Sequence, residues 1–319
     1  MPLRAPLDDA PLSRSSGTII LAQCIFSDAV ASRPMPAPSI TCPDCGRPVG
    51  YWEVHCRCGH FLGFPNQREA LAERDVLGRR YDLARDDATR RGVAHLLGKL
   101  EALVAQSLPV ICMPFATCDD ILRAGKYRNY HERVESGERN PAGAQDHADR
   151  SMVGDRLFPN YSKHIYYAAL SPAGRGLSSY GPVAMRWQVT PVYLGRRASL
   201  LEENSFTFYD HHGLGRRGAS VPLGYRSVWA DRAMLAAAKL TSRLTTATSE
   251  SALPGVMMTA GKTRPDDDFI EISIYSDGGV DTEDVDMVTI QLPATTPEEA
   301  HRRDLVREVC ASRGIAFVE

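Results

Sequence analysis

The chain has 319 residues, a formal net charge of −2, and 43% apolar and 24% charged residues. That length can bury a sizeable core in one large or two smaller domains. The charge balance excludes a chain-wide basic excess as a sign of nucleic-acid binding.

The longest apolar run near the start, "GTIILAQCIF" at 17–26, is far shorter than the ~20 residues that cross a bilayer. It has no basic flank and no small-residue cleavage site. It reads as a strand in a cytoplasmic protein with no membrane partner. Residues 1–38 read as an extension that closes on a Pro-rich linker, Ala31 to Ser39.

Residues 39–66 carry "TCPDCGRPVGYWEVHCRCGHFLGF", with Cys42, Cys45, Cys56 and Cys58 spaced C-x2-C-x10-C-x-C. A reducing cytoplasm favours metal over disulfide. Two close thiolate pairs can complete one tetrahedral zinc, and a full set of four leaves no open position for catalysis. Gly46 and Gly59 follow the pairs, where a knuckle needs room for backbone N–H groups. His55 and His60 flank the second pair and are alternative ligands. A redox pair is the weaker reading, since no thioredoxin-like unit surrounds it. Cys24, Cys112, Cys118 and Cys310 read as small buried hydrophobes.

Residues 67–106 read as a helical connector. Leu71, Leu77, Tyr81, Ala84 and Ala88 recur at helical spacing, as do Leu96, Leu97, Leu100 and Val104, with a junction near Gly92. The charges between them read as a solvated face.

From 107 to 319 the texture turns β-rich. "HIYYAAL", "PVAMRWQV", "SFTFY", "FIEISIY" and "DMVTIQL" read as strands. Three helices interrupt them. "TCDDILRAG" has Thr117 as cap and Gly125 as stop. "SVWADRAMLAAAKLTSRL" has Ser227 as cap. "TPEEAHRRDLVREVCASRG" has a Thr296/Glu299 capping box and Pro297 at its first turn. No strand–helix–strand alternation repeats, so the expected fold is α+β with a mixed or antiparallel sheet. In "FIEISIY", Ile270, Ile272 and Ile274 share the core face. Phe269, Glu271, Ser273 and Tyr275 share the other, which gives Glu271 aromatic company. "FYDHHG" admits a metal reading for Asp210, His211 and His212, though a polar turn explains it as well. Arg216, Arg217, Arg226, Tyr225 and Trp229 admit a basic aromatic surface, against the plainer reading of a solvated loop.

Four segments together carry a resemblance: Tyr167-Ala168-Ala169-Leu170, Tyr180-Gly181-Pro182-Val183, Arg197-Ala198-Ser199 with Asn204-Ser205, and Phe269-Ile270-Glu271 followed by Glu283-Asp284-Val285. With the upstream "TCDDILRAGKY", the 109–292 region resembles the bacterial ADP-ribosyltransferase-like toxin superfamily, DarT-type domains and their relatives. The resemblance implies an ADP-ribosyltransferase-like domain of mixed or antiparallel β structure with flanking helices. It implies NAD as substrate and a nucleic-acid acceptor, DNA or RNA, in a toxin or phage-defence effector with an antitoxin partner. Glu271 would be the catalytic carboxylate. Ser205, or else Ser199, would support the nicotinamide pocket, and Tyr167, Tyr180 or Phe206 would stack on it. His164 stands where such families carry an arginine, as the group for ribose or pyrophosphate. The alternative is a non-catalytic zinc-ribbon adaptor that binds nucleic acid or protein on a degenerate transferase fold.

Overall fold

"HIYYAAL" and "FIEISIY" lie side by side as antiparallel strands in the interior of the main sheet. The computed structural model describes residues 39–140, 143–188, 191–261 and 264–319. The 1–38 extension, with its linker and the strand expected at 17–26, lies outside the described residues.

In the ribbon, β1 (Ser39–Thr41) pairs antiparallel with β2 (Pro48–Gly50). Then come α1 (Pro65–Ala72), α2 (Arg74–Arg90), α3 (Ala94–Gln106), β3 (Leu108–Met113), α4 (Phe115–Ala124), β4 (Lys126–Tyr127), α5 (Tyr130–Glu135), α6 (Ala144–Leu157) and β5 (Ile165–Ser171). The chain continues through β6 (Val183–Trp187), α7 (Pro191–Arg197), β7 (Ala198–Leu201), α8 (Ser205–His211), β8 (Arg226–Val228), α9 (Arg232–Leu240) and α10 (Leu253–Met257). It ends with β9 (Glu271–Tyr275), β10 (Val280–Asp281), β11 (Val285–Ile290), α11 (Pro297–Arg313) and β12 (Ala316–Val318).

Eight strands form one sheet in the order β12-β11-β6-β3-β5-β9-β7-β8. Only β11 and β12 run parallel, joined through α11; the other neighbours are antiparallel. This is a mixed sheet with helices, as the strand-rich pattern predicts. Among the described residues, no helix is long and apolar enough to cross a membrane.

The two faces of the sheet differ. Ile270, Ile272, Ile274, Tyr166, Leu200 and Met185 pack with Leu77, Leu97, Leu100, Leu235 and Leu240 in the larger core. The opposite face carries Ile165, Leu201 and Tyr275, packed against Val153, Leu157, Phe208 and the ribbon's Tyr51 and Phe64. Residues 67–106 are therefore built into the main core and do not act as a spacer: Leu77, Ala88, Leu96, Leu97, Leu100 and Val104 are all buried there.

Several local expectations change. "SFTFY" is α8, because Asn204 caps it by accepting from the Phe206 N–H at 3.0 Å. Its buried residues Ser205, Phe208 and Tyr209 follow helical spacing. Ser227 is buried inside β8, so the following helix starts later, at Arg232. Pro114, not Thr117, precedes α4, and Gly125 ends it as expected. Thr296 accepts from the Glu299 N–H at 3.1 Å, but the Glu299 carboxylate reaches back to the Thr295 N–H at 2.7 Å instead of closing the box on Thr296.

Candidate functional site

The ribbon brings four sulfurs together. The Sγ atoms of Cys42, Cys45, Cys56 and Cys58 all lie within 4.8 Å of one another. Cys42 and Cys58 are 3.7 Å apart, and Cys45 and Cys56 are 3.6 Å apart. A zinc–sulfur bond of about 2.3 Å gives a tetrahedron edge of about 3.8 Å, so these spacings fit one zinc ion. Each knuckle closes as its glycine requires. The Gly46 N–H donates to the Cys42 carbonyl at 2.9 Å and the Gly59 N–H to the Cys56 carbonyl at 2.8 Å, with φ of +71° and +93°. His60 is occupied by Asp44 at 2.8 Å, and His55 packs on the Phe61 ring at 5.3 Å. The cysteines alone make up the cluster.

The ribbon is also clamped to the first helix and, through it, to the sheet. Arg68 on α1 donates to the ribbon carbonyls of Leu62 and Glu53, both at 3.1 Å, and to those of Tyr51 and Gly63. Asn66 spends its amide on the carbonyls of Arg197 and Ser273, both at 2.9 Å, and on Ser199 Oγ at 3.2 Å. Behind it, Arg226 sits between Glu69 (2.5 Å) and Glu73 (4.0 Å), all three buried. Such a buried arrangement is costly to break from one side.

Glu271 occupies the other cluster. It opens β9, paired with Ala169 of β5 and Leu201 of β7, and it is 4% exposed. Ser205 Oγ donates to Oε1; Asn204 Nδ2 donates to Oε2 at 3.1 Å, with the Ser205 N–H behind it at 3.4 Å. Asn204 Nδ2 also lies 3.4 Å from the Tyr180 hydroxyl. Burial pushes the Glu271 carboxyl up from 4.5 to about 7, against the pull of the Ser205 hydrogen bonds. Tyr167 faces the same side, two residues along β5 from the partner of Glu271. Burial first, and the Glu271 charge second, raise both Tyr167 and Tyr180 well above the usual phenol range. Tyr180 packs edge-on against Phe269 at 6.4 Å, and the Arg264 guanidinium lies over its ring at 4.8 Å.

Of the residues expected at this site, Glu271, Ser205, Tyr167 and Tyr180 come together. Phe206 is exposed on the first turn of α8, beside Ser205. Ser199 is buried and engaged by Asn66, two residues along β7 from Leu201. His164 is not brought in. It stacks on Tyr275 at 5.5 Å and pairs with Asp277 at 2.9 Å. Tyr275 is at the far end of β9, about 13 Å from Glu271 at the usual strand rise.

The other readings narrow. His211 pairs with Glu203 at 2.9 Å, and His212 packs against Phe208 at 4.3 Å, so neither joins a metal cluster. Of the five residues that admitted a basic aromatic surface, Arg226 and Trp229 are buried and so take no part in one, while Arg216 and Arg217 are exposed.

Sequence reasoning included Asn204 in a resembling segment but gave it no role at the site, and it missed Arg264. It also missed Arg150 of α6, whose positive charge reaches both Tyr167 and Tyr180. The signal for Asn204 was present: an Asn before Ser-Phe-Thr-Phe-Tyr is a helix cap, and a cap beside a buried carboxylate can donate to it. Neither the family models nor the curated proteins compared with the chain match it.

Proposed function

We propose that the chain is an NAD-dependent ADP-ribosyltransferase with Glu271 as its catalytic carboxylate, acting on a nucleic-acid acceptor in a toxin or defence setting. The acceptor and setting come from the resemblance in the 109–292 region. The observation that carries the chemistry is the buried Glu271, held by Ser205 and Asn204 between Tyr167 and Tyr180.

Breaking the bond between ribose and nicotinamide leaves positive charge on the ribose, as in glycoside hydrolysis. An ionised Glu271 stabilises that charge and can accept from the ribose 2′-hydroxyl. Nicotinamide leaves with the bonding pair. A nucleophilic nitrogen or oxygen of the acceptor forms the new bond to the ribose carbon and gives up a proton. A carboxylate that titrates at about 7 is matched to receive that proton near neutral pH. The Ser205 hydroxyl and Asn204 amide fix both carboxylate oxygens, so little reorganisation is needed when the charge develops. Tyr167, Tyr180 and the exposed Phe206 offer flat surfaces for an aromatic ring.

The test uses NAD labelled in its adenylate half, incubated with wild type and Glu271→Gln in the presence of DNA, RNA or lysate. Transfer of label by wild type and not by the variant is the expected result. The absence of both transfer and NAD hydrolysis from wild type would sink the reading and leave a zinc-ribbon adaptor.

A further inference from the structure

Strand β7 leaves the sheet early. Its pairing with β9 stops at Leu201, opposite Glu271. The chain then turns off to cap α8, and this turn brings Asn204 and Ser205 to the Glu271 carboxylate. Had β7 run on in register, Glu203 would lie opposite Phe269. The departure leaves a short edge on β9. Successive carbonyls of a strand point to opposite sides. The Ile270 carbonyl points to β5, where it accepts from the Leu170 N–H at 3.0 Å. The Phe269 carbonyl therefore points to the side that β7 has vacated. Phe269 is buried, and a buried carbonyl needs a donor.

Lys239 of α9 supplies that donor. Its Nζ lies 2.9 Å from the Phe269 carbonyl oxygen and 2.5 Å from Asp268 Oδ1. The side chain is 4% exposed and lies one turn after buried Leu235 and Ala236. A lysine is rarely buried without a partner. Here Asp268 also accepts from Arg243, and Glu202, paired with Arg80 at 2.9 Å, acts on the ammonium from the point where β7 turns away. Burial lowers the lysine's pKa, and Asp268 and Glu202 oppose that shift. The Asp268 backbone is closed as well: it exchanges hydrogen bonds with Thr259 at 3.0 and 2.8 Å. On the Glu271 side, the Phe269 ring packs with Leu177 and Tyr180.

We propose that Lys239 is a positioning residue for Glu271: its ammonium replaces the strand hydrogen bond that β7 gives up in bringing Asn204 and Ser205 over the carboxylate. It acts through the backbone two residues before Glu271. The donors on the carboxylate itself are Asn204 and Ser205, with Tyr167 and Tyr180 alongside. A group that must meet a developing charge tolerates little displacement. The bearing on catalysis rests on the transferase reading; the positioning itself does not.

The test reads Glu271 without needing turnover. Melting temperatures of wild type and Lys239→Met are followed from about pH 4 to about pH 9, each against its own Glu271→Gln counterpart. In wild type the gap should open as pH rises and level off above about pH 7. Lys239→Met keeps the length of the side chain and removes its charge and donors. The expected result is a levelling point about one unit lower, because a loosened strand end admits water to a carboxyl whose pKa burial holds up. An unmoved levelling point, with the same loss of melting temperature in both backgrounds, would show a merely structural lysine and overturn the proposal. So would a rise, which the loss of a positive charge gives without any displacement. If Lys239→Met does not fold, Asp268→Asn takes its place, since Asp268 is partly exposed. A smaller fall in the same direction is then expected, and an unmoved point overturns the proposal. Label transfer gives a second reading. Where wild type transfers label, Lys239→Met should lose about tenfold in turnover with KM within about twofold, and unchanged turnover overturns the proposal. If wild type transfers none and the levelling point falls, the transferase reading fails and the positioning stands.

Discussion

The ribbon and the Glu271 site each gather groups that repel one another or resist burial, and they resolve the problem in opposite ways. In the ribbon, four thiol sulfurs crowd within 4.8 Å, a spacing that one metal ion could hold. At Glu271, one carboxyl is buried with hydroxyls and an amide and, among the described residues, pairs with no cation, and its pKa rises to about 7. The first is a ligand set that one zinc ion could complete, bracing the fold. The second is a destabilised charge, kept by a sheet and a helix that hold it in place. A site that costs stability is the better place to look for chemistry.

The largest expected effect falls on the second region. Glu271→Gln should lower label transfer about a thousandfold while keeping the shape of the side chain, measured against wild type at neutral pH. The same substitution should stabilise the protein. Glu271 binds more protons folded than unfolded between about pH 4.5 and about pH 7, so its presence lowers stability as pH rises through that window. Melting curves of wild type and variant should therefore coincide in acid, with the variant a few degrees higher above about pH 7. A variant that melts lower at every pH would erase the contrast between the two regions.

Removing the metal probes the first region. Elemental analysis should find about one equivalent of zinc, and a strong chelator or Cys42→Ser should lower the melting temperature by roughly 10 °C. Arg68 on α1 holds the ribbon and Asn66 on α1 holds β7 and β9, so activity should fall with it. Full activity in a metal-free, folded protein would make the ribbon a separate module.

Asn204→Asp sharpens the comparison within the site. A second carboxylate 3.1 Å from Glu271, in place of an amide donor, should move the midpoint of the rising pH–activity profile upward by about one unit from near 7. An unchanged midpoint would mean that Asn204 only caps α8. The smallest effect belongs to His164→Ala, which should change the turnover of NAD by less than about twofold, since His164 faces Asp277 and Tyr275. A large loss would restore the role that the family resemblance implied for it.

What the sequence made legible was local periodicity. The two-residue alternation of Ile270, Ile272 and Ile274 located β9 and put Glu271 on the opposite face, and the ligand spacing located the ribbon. Where two local signals competed, the wrong one was easy to choose. Phe206, Phe208 and Tyr209 favour strand by propensity, but Asn204 and the burial of Ser205, Phe208 and Tyr209 make α8. Long-range pairings left no local trace. Arg226 reads as a surface cation until Glu69 and Glu73, about 150 residues earlier, are placed against it. Arg150 and Arg264 belong to the same class: nothing adjacent to them in the chain marks the tyrosines that they meet.

Gly181 has a consequence for how this site can vary. It comes directly after Tyr180, with φ of +151°, and a Cβ built there would lie 2.2 Å from the Met113 carbonyl carbon. The colliding atom is backbone, so no rotamer can relieve it. In a saturation-mutagenesis map, position 181 should therefore tolerate no side chain, whereas Gly98, with nothing within 4 Å of its Cβ position, should accept most. Such an intolerant position would serve as an alignment anchor, fixing the register of Tyr180 when distant sequences are laid beside this one.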